Sequence, residues 1–447
     1  MQQDGNKGGS TTKLKRCLGF WDLMSAAIGQ IIGAGIMTLL GAALAMTGRS
    51  VPFAFMIAAT ITITQFLPML FISGTVRLRG GRYTMAAMLC GTKLAGAYSI
   101  VYIFQNLSIS MYALSFASYF ISLLGIGSEK TVALVVLTIF YVLNYCGIDK
   151  FAWAQNLIVG FLIVALAMFA AVGVTKIAPN YYAQSTFFTG GWMGMLQAGA
   201  LLTFATGGAT CIIDLSAEAK NPVRDIPIII VTSTLGVAVL YAMISIVAGG
   251  VLPLEQVAGK NLALVAQTIF SKPLYVFFMV CGAGFALIST LNSQMAWAPK
   301  PTMQACDDGW LPAGLASTNR FGVPWIILGI LYIIAVVCIV SGLSVATLGS
   351  MCLVANNVAL LVICACTFRL PKICPEEWAA SKFKISNGML KLVSLIGTAG
   401  CAFNIWFNFI RLSYTLKIIN LVVVVGALIW GVVRSRKVHM IVSHEKA

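Results

Sequence analysis

Residues 25–41 read SAAIGQIIGAGIMTLLG, and this stretch lies in an apolar run that begins near Phe20. Gly29, Gly33, Gly35 and Gly41 fall within it. A glycine in a helix interior costs about 1 kcal/mol relative to alanine. The stretch therefore predicts an apolar helix that is interrupted near its midpoint.

The composition places the chain in a membrane. Of its 447 residues, 59% are hydrophobic and 9% are charged, whereas soluble domains carry about 25% charged residues. Long apolar stretches recur along the whole length, which is typical of a polytopic helical protein embedded in a lipid bilayer. A soluble globular domain is excluded on these grounds.

The formal net charge of +16 reports topology and excludes a nucleic-acid partner. Most of the 29 lysines and arginines fall on one side of the predicted spans, in clusters at 13–16, 77–82, 382–391 and 434–437. This is the positive-inside bias. It predicts a multi-pass protein of the cell membrane with both termini in the cytoplasm, and no sequence feature specifies an oligomeric state.

Twelve apolar segments, numbered one to twelve below, are each long enough to cross a bilayer. They are 20–46, 51–75, 95–124, 131–147, 153–174, 191–215, 226–251, 272–298, 324–342, 344–368, 388–411 and 414–433. The predicted fold is all-α and integral to the membrane. Residues 1–18 form a cytoplasmic N-terminal tail and residues 434–447 a cytoplasmic C-terminal tail.

A second glycine cluster matches the first. Segment six carries Thr206, Gly207, Gly208 and Ala209 in mid-membrane, and five segments separate its start from that of segment one. Paired interruptions at corresponding positions predict an inverted-repeat transporter with its site at the breaks. Close helix packing of the small-xxx-small kind is the alternative, and it fits the spacing of Gly29 and Gly33.

Unwinding a helix in a bilayer frees backbone groups that a ligand or cavity must satisfy. The amides of Ala34, Gly35 and Ile36 would begin the outer half-helix and suit a carboxylate, while carbonyls ending the inner half suit a cation or ammonium group. One break can therefore hold both ends of a zwitterion.

Three stretches carry a family resemblance. GFWDLMSAAIGQIIGAGIM (19–37), AEAKNPVRDIP (217–227) and DDGWLPAGLASTNRFGVP (307–324) resemble motifs of the amino acid–polyamine–organocation transporters. The resemblance implies alternating access and a five-plus-five inverted-repeat core with broken helices one and six, plus two extra helices. The first repeat would be 19–174 (segments one to five), the second 191–369 (segments six to ten), and the extra pair 388–433.

The resemblance also implies site residues, position by position. The carboxylate clamp falls on Gly33, Ala34, Gly35 and Ile36; the carbonyls for the amino group fall on Ile31, Phe204 and Gly207; and the aromatic lid falls on Phe204.

The substrate is predicted to be a neutral amino acid, because no acidic or basic residue lies at mid-depth in the segments that would line the site. Asp214 and Glu218 lie near Lys220 and Arg224 and are interpreted as gate or loop ion pairs. Gln105, Asn106, Asn356 and Asn357 either line the site or hydrogen-bond between helices.

Two features bear on coupling. Many relatives carry a lysine in the fifth helix, and here that position is Leu162. Ser289 and Thr290 resemble a hydroxyl pair that holds sodium in the wider fold, which would make Na⁺ the coupling ion. The remaining ligands would be the carbonyls of Gly29, Ile32 and Ala286. Bonding of the hydroxyls to carbonyls one turn back is the alternative.

No cofactor-binding or catalytic motif is found. The only histidines, His439 and His444, lie in the C-terminal tail, and the 12 cysteines show no metal-ligand spacing. An enzyme is therefore not expected. The favoured function is secondary active transport of neutral L-amino acids, with a sodium-independent exchanger and a non-transporting amino acid sensor as alternatives; a polyamine carrier would need acidic groups at mid-depth.

Overall fold

The computed structural model of the protein describes residues 16–147, 151–179, 181, 184–438, 440 and 444–445. Every predicted segment is helical in its described part. In chain order the helices are Phe20–Ile31, Gly35–Leu39 and Leu40–Thr47; Val51–Ser73; Thr92–Gln105 and Ser108–Leu124; Glu129–Tyr145; Phe151–Val174; Gly191–Thr206, Gly208–Thr210 and Cys211–Asp214; Pro222–Gly250; Lys272–Phe277, Phe278–Gly284 and Phe285–Trp297; Trp325–Ser341; Val345–Cys366; Asn387–Phe409; and Tyr414–Arg434.

The helices support a multi-pass membrane protein. By length and apolar composition, nine helical stretches of the described chain can cross a membrane, and the first, Phe20–Ser73, covers segments one and two. Trp325–Ser341 is a shorter apolar helix. Segment four is outside this set, so twelve crossings stay a prediction, as do the repeat boundaries.

The connections contain more helix than their polar sequences suggest. Gly81–Cys90 lies between segments two and three, and Pro299–Asp307 follows segment eight after a single residue. Prolines near its start favour the second helix, because a proline there needs no hydrogen-bond donor. A two-residue antiparallel pairing joins Arg77–Leu78 to His444–Glu445.

Segment three is also interrupted. Its two helices meet at Asn106 and Leu107, where the side-chain amide of Asn106 donates to the carbonyl of Tyr102 at 2.7 Å. A polar side chain that bonds to the backbone one turn back competes with regular helix geometry. The interruption brings Gln105 and Ser108 to one side of the helix pair, where they line the cavity described below.

Burial is graded from the centre outward. In segment six 72% of the most apolar window is buried, against 17% in segment twelve. Segment twelve instead exposes large apolar side chains, including Leu421, Val422 and Val433, a surface suited to lipid. The two segments with central glycine clusters thus lie where solvent and lipid are excluded.

Candidate functional site

Segment one breaks where its glycines predict. Its first helix ends at Ile31, and Ile32 has extended backbone angles (φ −86°, ψ 91°). The chain becomes helical again at Ala34, and Gly35–Leu39 is a π-helix. The first amides of a helix lack intrahelical acceptors, so the amides that begin the outer half are available at this break.

Segment six breaks one residue after Thr206. Gly207 separates the long first helix of this segment, Gly191–Thr206, from the 3₁₀ turn Gly208–Thr210, and Cys211–Asp214 completes the segment. The described part of the chain therefore has interruptions at both predicted glycine clusters.

The two breaks pack against each other in a reciprocal way. A Cβ added at Gly35 would meet the backbone and side chain of Ala205, and one added at Gly208 would meet the carbonyl of Gln30. Each break thus places a glycine against residues near the break of the other segment. Glycine is required here by close approach of two backbones, so the packing reading and the broken-helix reading are both correct for these positions.

The predicted clamp lies inside this packing. Ile31, Ala34 and Ile36 are at most 2% exposed, and a Cβ added at Gly33 would lie 2.8 Å from the hydroxyl oxygen of Thr290. The carbonyl of Ile31 accepts a hydrogen bond from the Tyr241 hydroxyl at 2.9 Å. That carbonyl keeps a second lone pair for a ligand.

A cavity of about 100 Å³ begins at the break in segment six. Two of the seven predicted substrate residues, Phe204 and Gly207, line it, whereas the clamp residues do not. The Phe204 ring lies 6.1 Å from the ring of Tyr112. The other described lining residues are Gln30, Arg82, Gln105, Asn106, Ser108, Tyr112, Thr203, Gly208, Thr210, Cys211, Gln294, Trp297, Cys352, Leu353 and Asn356.

Several lining residues were missed by the sequence reasoning, and hydrogen bonds connect them. Gln30 accepts from the indole nitrogen of Trp297 at 3.3 Å and donates to the Tyr112 hydroxyl at 3.4 Å. Gln294 donates to the carbonyl oxygen of the Asn106 side chain at 3.0 Å. The available signal was an amide side chain within an apolar segment, as for Gln105 and Asn106, but that signal identifies no partner.

An ion pair closes the cavity at the end of the bundle that carries the basic clusters. Two guanidinium nitrogens of Arg82 donate to one carboxylate oxygen of Asp214, at 2.7 and 2.9 Å, and the Arg82 amide donates to the other oxygen at 2.8 Å. The guanidinium carbon also lies over the rings of Tyr102 and Trp297, at 5.6 and 5.4 Å. Both side chains of the pair are at most 5% exposed.

Both acidic residues form ion pairs, and their partners come from other parts of the chain. Asp214 pairs with Arg82, and Glu218 pairs with Lys300 at 2.7 Å, rather than with the nearby loop cations. Beside the buried pair, Tyr83 donates to Asp308 at 2.6 Å. Burial and the neighbouring carboxylate raise the pKa of Tyr83 above its ordinary value, so this phenol keeps its proton.

The five predicted sodium ligands are connected through the hydroxyls of segment eight and the carbonyls near the break in segment one. The Thr290 hydroxyl lies 2.8 Å from the carbonyl of Gly29, 3.3 Å from that of Ile32 and 2.7 Å from that of Ala286. Ser289 lies 3.1 Å from the same Ala286 carbonyl. These five residues are called the hydroxyl cluster below.

The chemistry of the hydroxyl cluster fits a hard cation. One hydroxyl proton serves one strong hydrogen bond, yet three carbonyl oxygens surround Thr290. The donors are all neutral oxygens, which suit a hard cation such as sodium. Leu162, where a lysine would stand in many relatives, is fully buried in Phe151–Val174, and this helix packs against segments one and eight.

Comparison with known proteins agrees with this architecture. The family model for amino acid permeases matches residues 18–433. The branched-chain amino acid permease BcaP of Bacillus subtilis is 30% identical over 279 residues, 57% of this chain and 59% of the relative's own length.

Two further relatives extend the comparison. An uncharacterized protein of Methanocaldococcus jannaschii is 25% identical over 66% of this chain and 69% of its own length. The methylthioribose transporter of Bacillus subtilis is 23% identical over 93% of both chains. The match to the family model covers nearly the whole chain, and the chain therefore belongs to the amino acid permease family of the amino acid–polyamine–organocation superfamily.

Proposed function

We propose that this chain is a secondary active transporter of neutral L-amino acids that works by alternating access. The observation that carries the proposal is the meeting of two broken helices at a buried polar cavity whose wall includes Phe204 and Gly207. Irregular backbone at membrane depth is tolerated where it lines a cavity or binds a ligand.

The proposed pose uses both breaks. The substrate carboxylate would bind the amides of the clamp from Gly33 to Ile36, and its ammonium group would bind the carbonyls of Ile31, Phe204 and Gly207. Because the clamp is packed against Ala205 and Thr290, binding requires the two segments to separate slightly at Gly35. Phe204 would then cover the substrate.

Sodium coupling is the second part of the proposal. The hydroxyl cluster would hold Na⁺ with two hydroxyls and three carbonyls. Gly33 contacts Thr290, so the same residue would belong to the clamp and border the ion. Filling one site would order the backbone that forms the other, and the two ligands would then bind cooperatively.

Alternating access also requires a gate. The Arg82–Asp214 pair would be the gate at the cytoplasmic end. This placement assumes a cell-membrane protein with twelve membrane crossings and with both termini in the cytoplasm. Separating a buried ion pair is costly, so this side would open only when other contacts replace the pair.

The deciding experiment is uptake of a mixture of neutral amino acids into proteoliposomes that contain the full chain. An inward sodium gradient is compared with an equal potassium gradient, in vesicles that are empty or preloaded with the mixture. We expect sodium-dependent accumulation in empty vesicles. Uptake that ignores sodium but needs internal substrate would identify an exchanger, and binding without uptake would identify a sensor.

The sodium assignment has its own variant. Thr290→Val removes the hydroxyl and keeps the shape of the side chain, so we expect sodium dependence to be lost. Thr268→Val is the matched control, because the Thr268 hydroxyl is exposed and bonds to a carbonyl of its own helix. Sodium dependence that survives in Thr290→Val would move the ion elsewhere.

A further inference from the structure

We infer that the transported amino acid has an uncharged side chain ending in a carboxamide or a hydroxyl, and that Gln105 and Gln294 recognise this group. The inference rests on the proposed function and narrows its substrate class. It is carried by the inventory of hydrogen-bonding groups on the cavity wall, which is complete enough to be compared with a ligand.

The wall carries many uncharged polar side chains and few aliphatic ones. Eight of the described lining residues carry an amide or an aliphatic hydroxyl, whereas Leu353 is the only leucine and no valine or isoleucine is among them; the eight are Gln30, Gln105, Asn106, Ser108, Thr203, Thr210, Gln294 and Asn356. A pocket for a branched aliphatic chain is lined mainly by apolar groups. This wall is mixed instead, with amides and hydroxyls beside aromatic rings and thiols.

Some of these polar groups already have partners and are excluded as readers of the substrate. The Thr203 hydroxyl donates to the Ala200 carbonyl at 2.6 Å and accepts from Asn404 at 2.7 Å. The side-chain nitrogen of Asn106 donates to the carbonyl of Tyr102, within its own segment. Such groups already have hydrogen-bond partners in the protein, so they need none from the substrate.

The side-chain carbonyl oxygens of Gln105 and Gln294 accept no hydrogen bond from the described residues. The carbonyl oxygen of the Gln105 side chain is buried and has no hydrogen-bond partner, and Gln105 as a whole is 7% exposed. The Gln294 nitrogen donates to Asn106 at 3.0 Å and to Ser108 at 2.6 Å. No described residue donates to the Gln294 carbonyl oxygen.

A buried polar atom without a partner is costly, so the Gln105 carbonyl oxygen favours a ligand that brings a donor, and the Gln294 carbonyl oxygen can accept from the same ligand. The Tyr112 hydroxyl accepts from Gln30 and has a proton to donate in return. A carboxamide or a hydroxyl both donates and accepts, and it matches this set. A leucine or valine side chain would leave the amides unpaired.

Charged side chains fit less well. Arg82 is the one cation among the described lining residues, and two of its guanidinium nitrogens and its amide are already bonded to Asp214. A second charge in the cavity would therefore lack a free counter-ion.

The test is transport from an equimolar mixture of glutamine, asparagine, serine, threonine, leucine, isoleucine and valine into proteoliposomes, with vesicle contents measured by mass spectrometry. We expect glutamine, asparagine, serine or threonine to enter about tenfold faster than leucine, since a site built on hydrogen bonds rejects an analogue that lacks them. Faster entry of leucine, isoleucine or valine would overturn the inference and leave the proposed function intact.

The variant is Gln105→Leu, which removes a group without a partner on its carbonyl and so should fold normally. We expect the ratio of polar to aliphatic uptake to fall about tenfold. Gln267→Leu is the matched control, because Gln267 is exposed on the short helix Ala263–Ile269, and its ratio should stay at the wild-type value.

Two further outcomes separate the inference from the proposed function. A Gln105→Leu protein that slows all seven amino acids equally would make the polar wall a hydrated passage rather than a reader of side chains, which overturns the inference. No uptake of any amino acid by folded, monodisperse wild-type protein would overturn the proposed function. Adding methylthioribose to the mixture tests whether a hydroxylated compound that is not an amino acid is transported instead.

Discussion

The hydroxyl cluster lies at the break in segment one and the cavity lies at the break in segment six, and the two differ in how many of the expected residues they bring together. The hydroxyl cluster brings together all five residues expected from the sequence, with Ser289 and Thr290 fully buried. The cavity has only Phe204 and Gly207 of the seven expected substrate residues on its wall.

The difference teaches that the two sites make different demands on the structure. An ion site of neutral oxygens can be fully packed, because its ligand is small and its donors are close together. A substrate site needs room, and here the clamp becomes accessible only if Gly35 moves away from Ala205. If the proposed sites are correct, the structure shows the clamp closed and the oxygens of the hydroxyl cluster already close together.

The largest expected effect comes from breaking the ion pair between Arg82 and Asp214 beside the cavity. Asp214→Ala leaves the Arg82 guanidinium buried without its counter-ion, which should destabilise the protein by about 3–5 kcal/mol. The measurement is thermal unfolding in detergent, and the double variant Arg82→Met with Asp214→Leu is its control. If the double variant regains stability but not uptake, the pair acts in gating. If the stability of Asp214→Ala equals that of the wild type, the ion pair is contradicted.

The next effect tests the contact between the breaks. Gly208→Ala forces a Cβ against the Gln30 carbonyl, and such overpacking should cost about 1–3 kcal/mol. Gly236→Ala is the opposite case, because Gly236 lies in the helix Pro222–Gly250 with open space around its Cβ position. Gly236→Ala should gain about 1 kcal/mol of stability. Equal changes in stability for the two variants would refute the close approach of Gly208 to the Gln30 backbone.

A third prediction concerns the centre of the hydroxyl cluster. Thr290→Val leaves three carbonyls without their shared donor, which should cost about 1–3 kcal/mol of stability in potassium. Sodium should stabilise the wild type and not the variant. Thermal unfolding at several sodium concentrations measures both, and a variant stabilised by sodium to the same extent would speak against the site.

The smallest effect is expected at the edge of the cluster. In Ser289→Ala the carbonyl of Ala286 keeps its hydrogen bond from Thr290, at 2.7 Å, so the stability in potassium should change by about 0.5 kcal/mol. Sodium affinity should still fall if the hydroxyl is a ligand. Comparing the midpoint of sodium stabilisation in Ser289→Ala and Thr290→Val ranks the two hydroxyls.

Much of the architecture could be predicted from local features of the sequence. Apolar length and composition predicted the helical segments. The glycines near Gly33 and Gly207 predicted both interruptions, because helix propensity depends on the local sequence alone. The five residues of the hydroxyl cluster were named from the family resemblance, and their role as sodium ligands stays a prediction, because the bonds of both hydroxyls to the Ala286 carbonyl also fit the alternative of bonding one turn back. Helices within polar connections, such as Gly81–Cys90, were not predicted because they have no long apolar pattern.

The cavity wall could not be predicted in the same way. Arg82 and Asp214 are 132 residues apart, and Gln30 meets Trp297 across 267 residues, so their pairing depends on the packing of whole segments. The interruption of segment three was missed as well, because Asn106 gives no glycine signal. Polar residues in apolar segments were recognised as candidates, but only the fold separates those that face the cavity from those that tie helices together.

The reciprocal contact of the two breaks has a consequence for how this chain can change over evolutionary time. At Gly35 the nearest obstacle is the backbone of Ala205, with its Cβ close behind, so position 35 should stay glycine and position 205 should stay small. At Gly208 the obstacle is the backbone of residue 30, which every amino acid supplies. No substitution at position 30 can relieve it, so glycine at 208 should outlast changes in substrate preference across descendants of this chain.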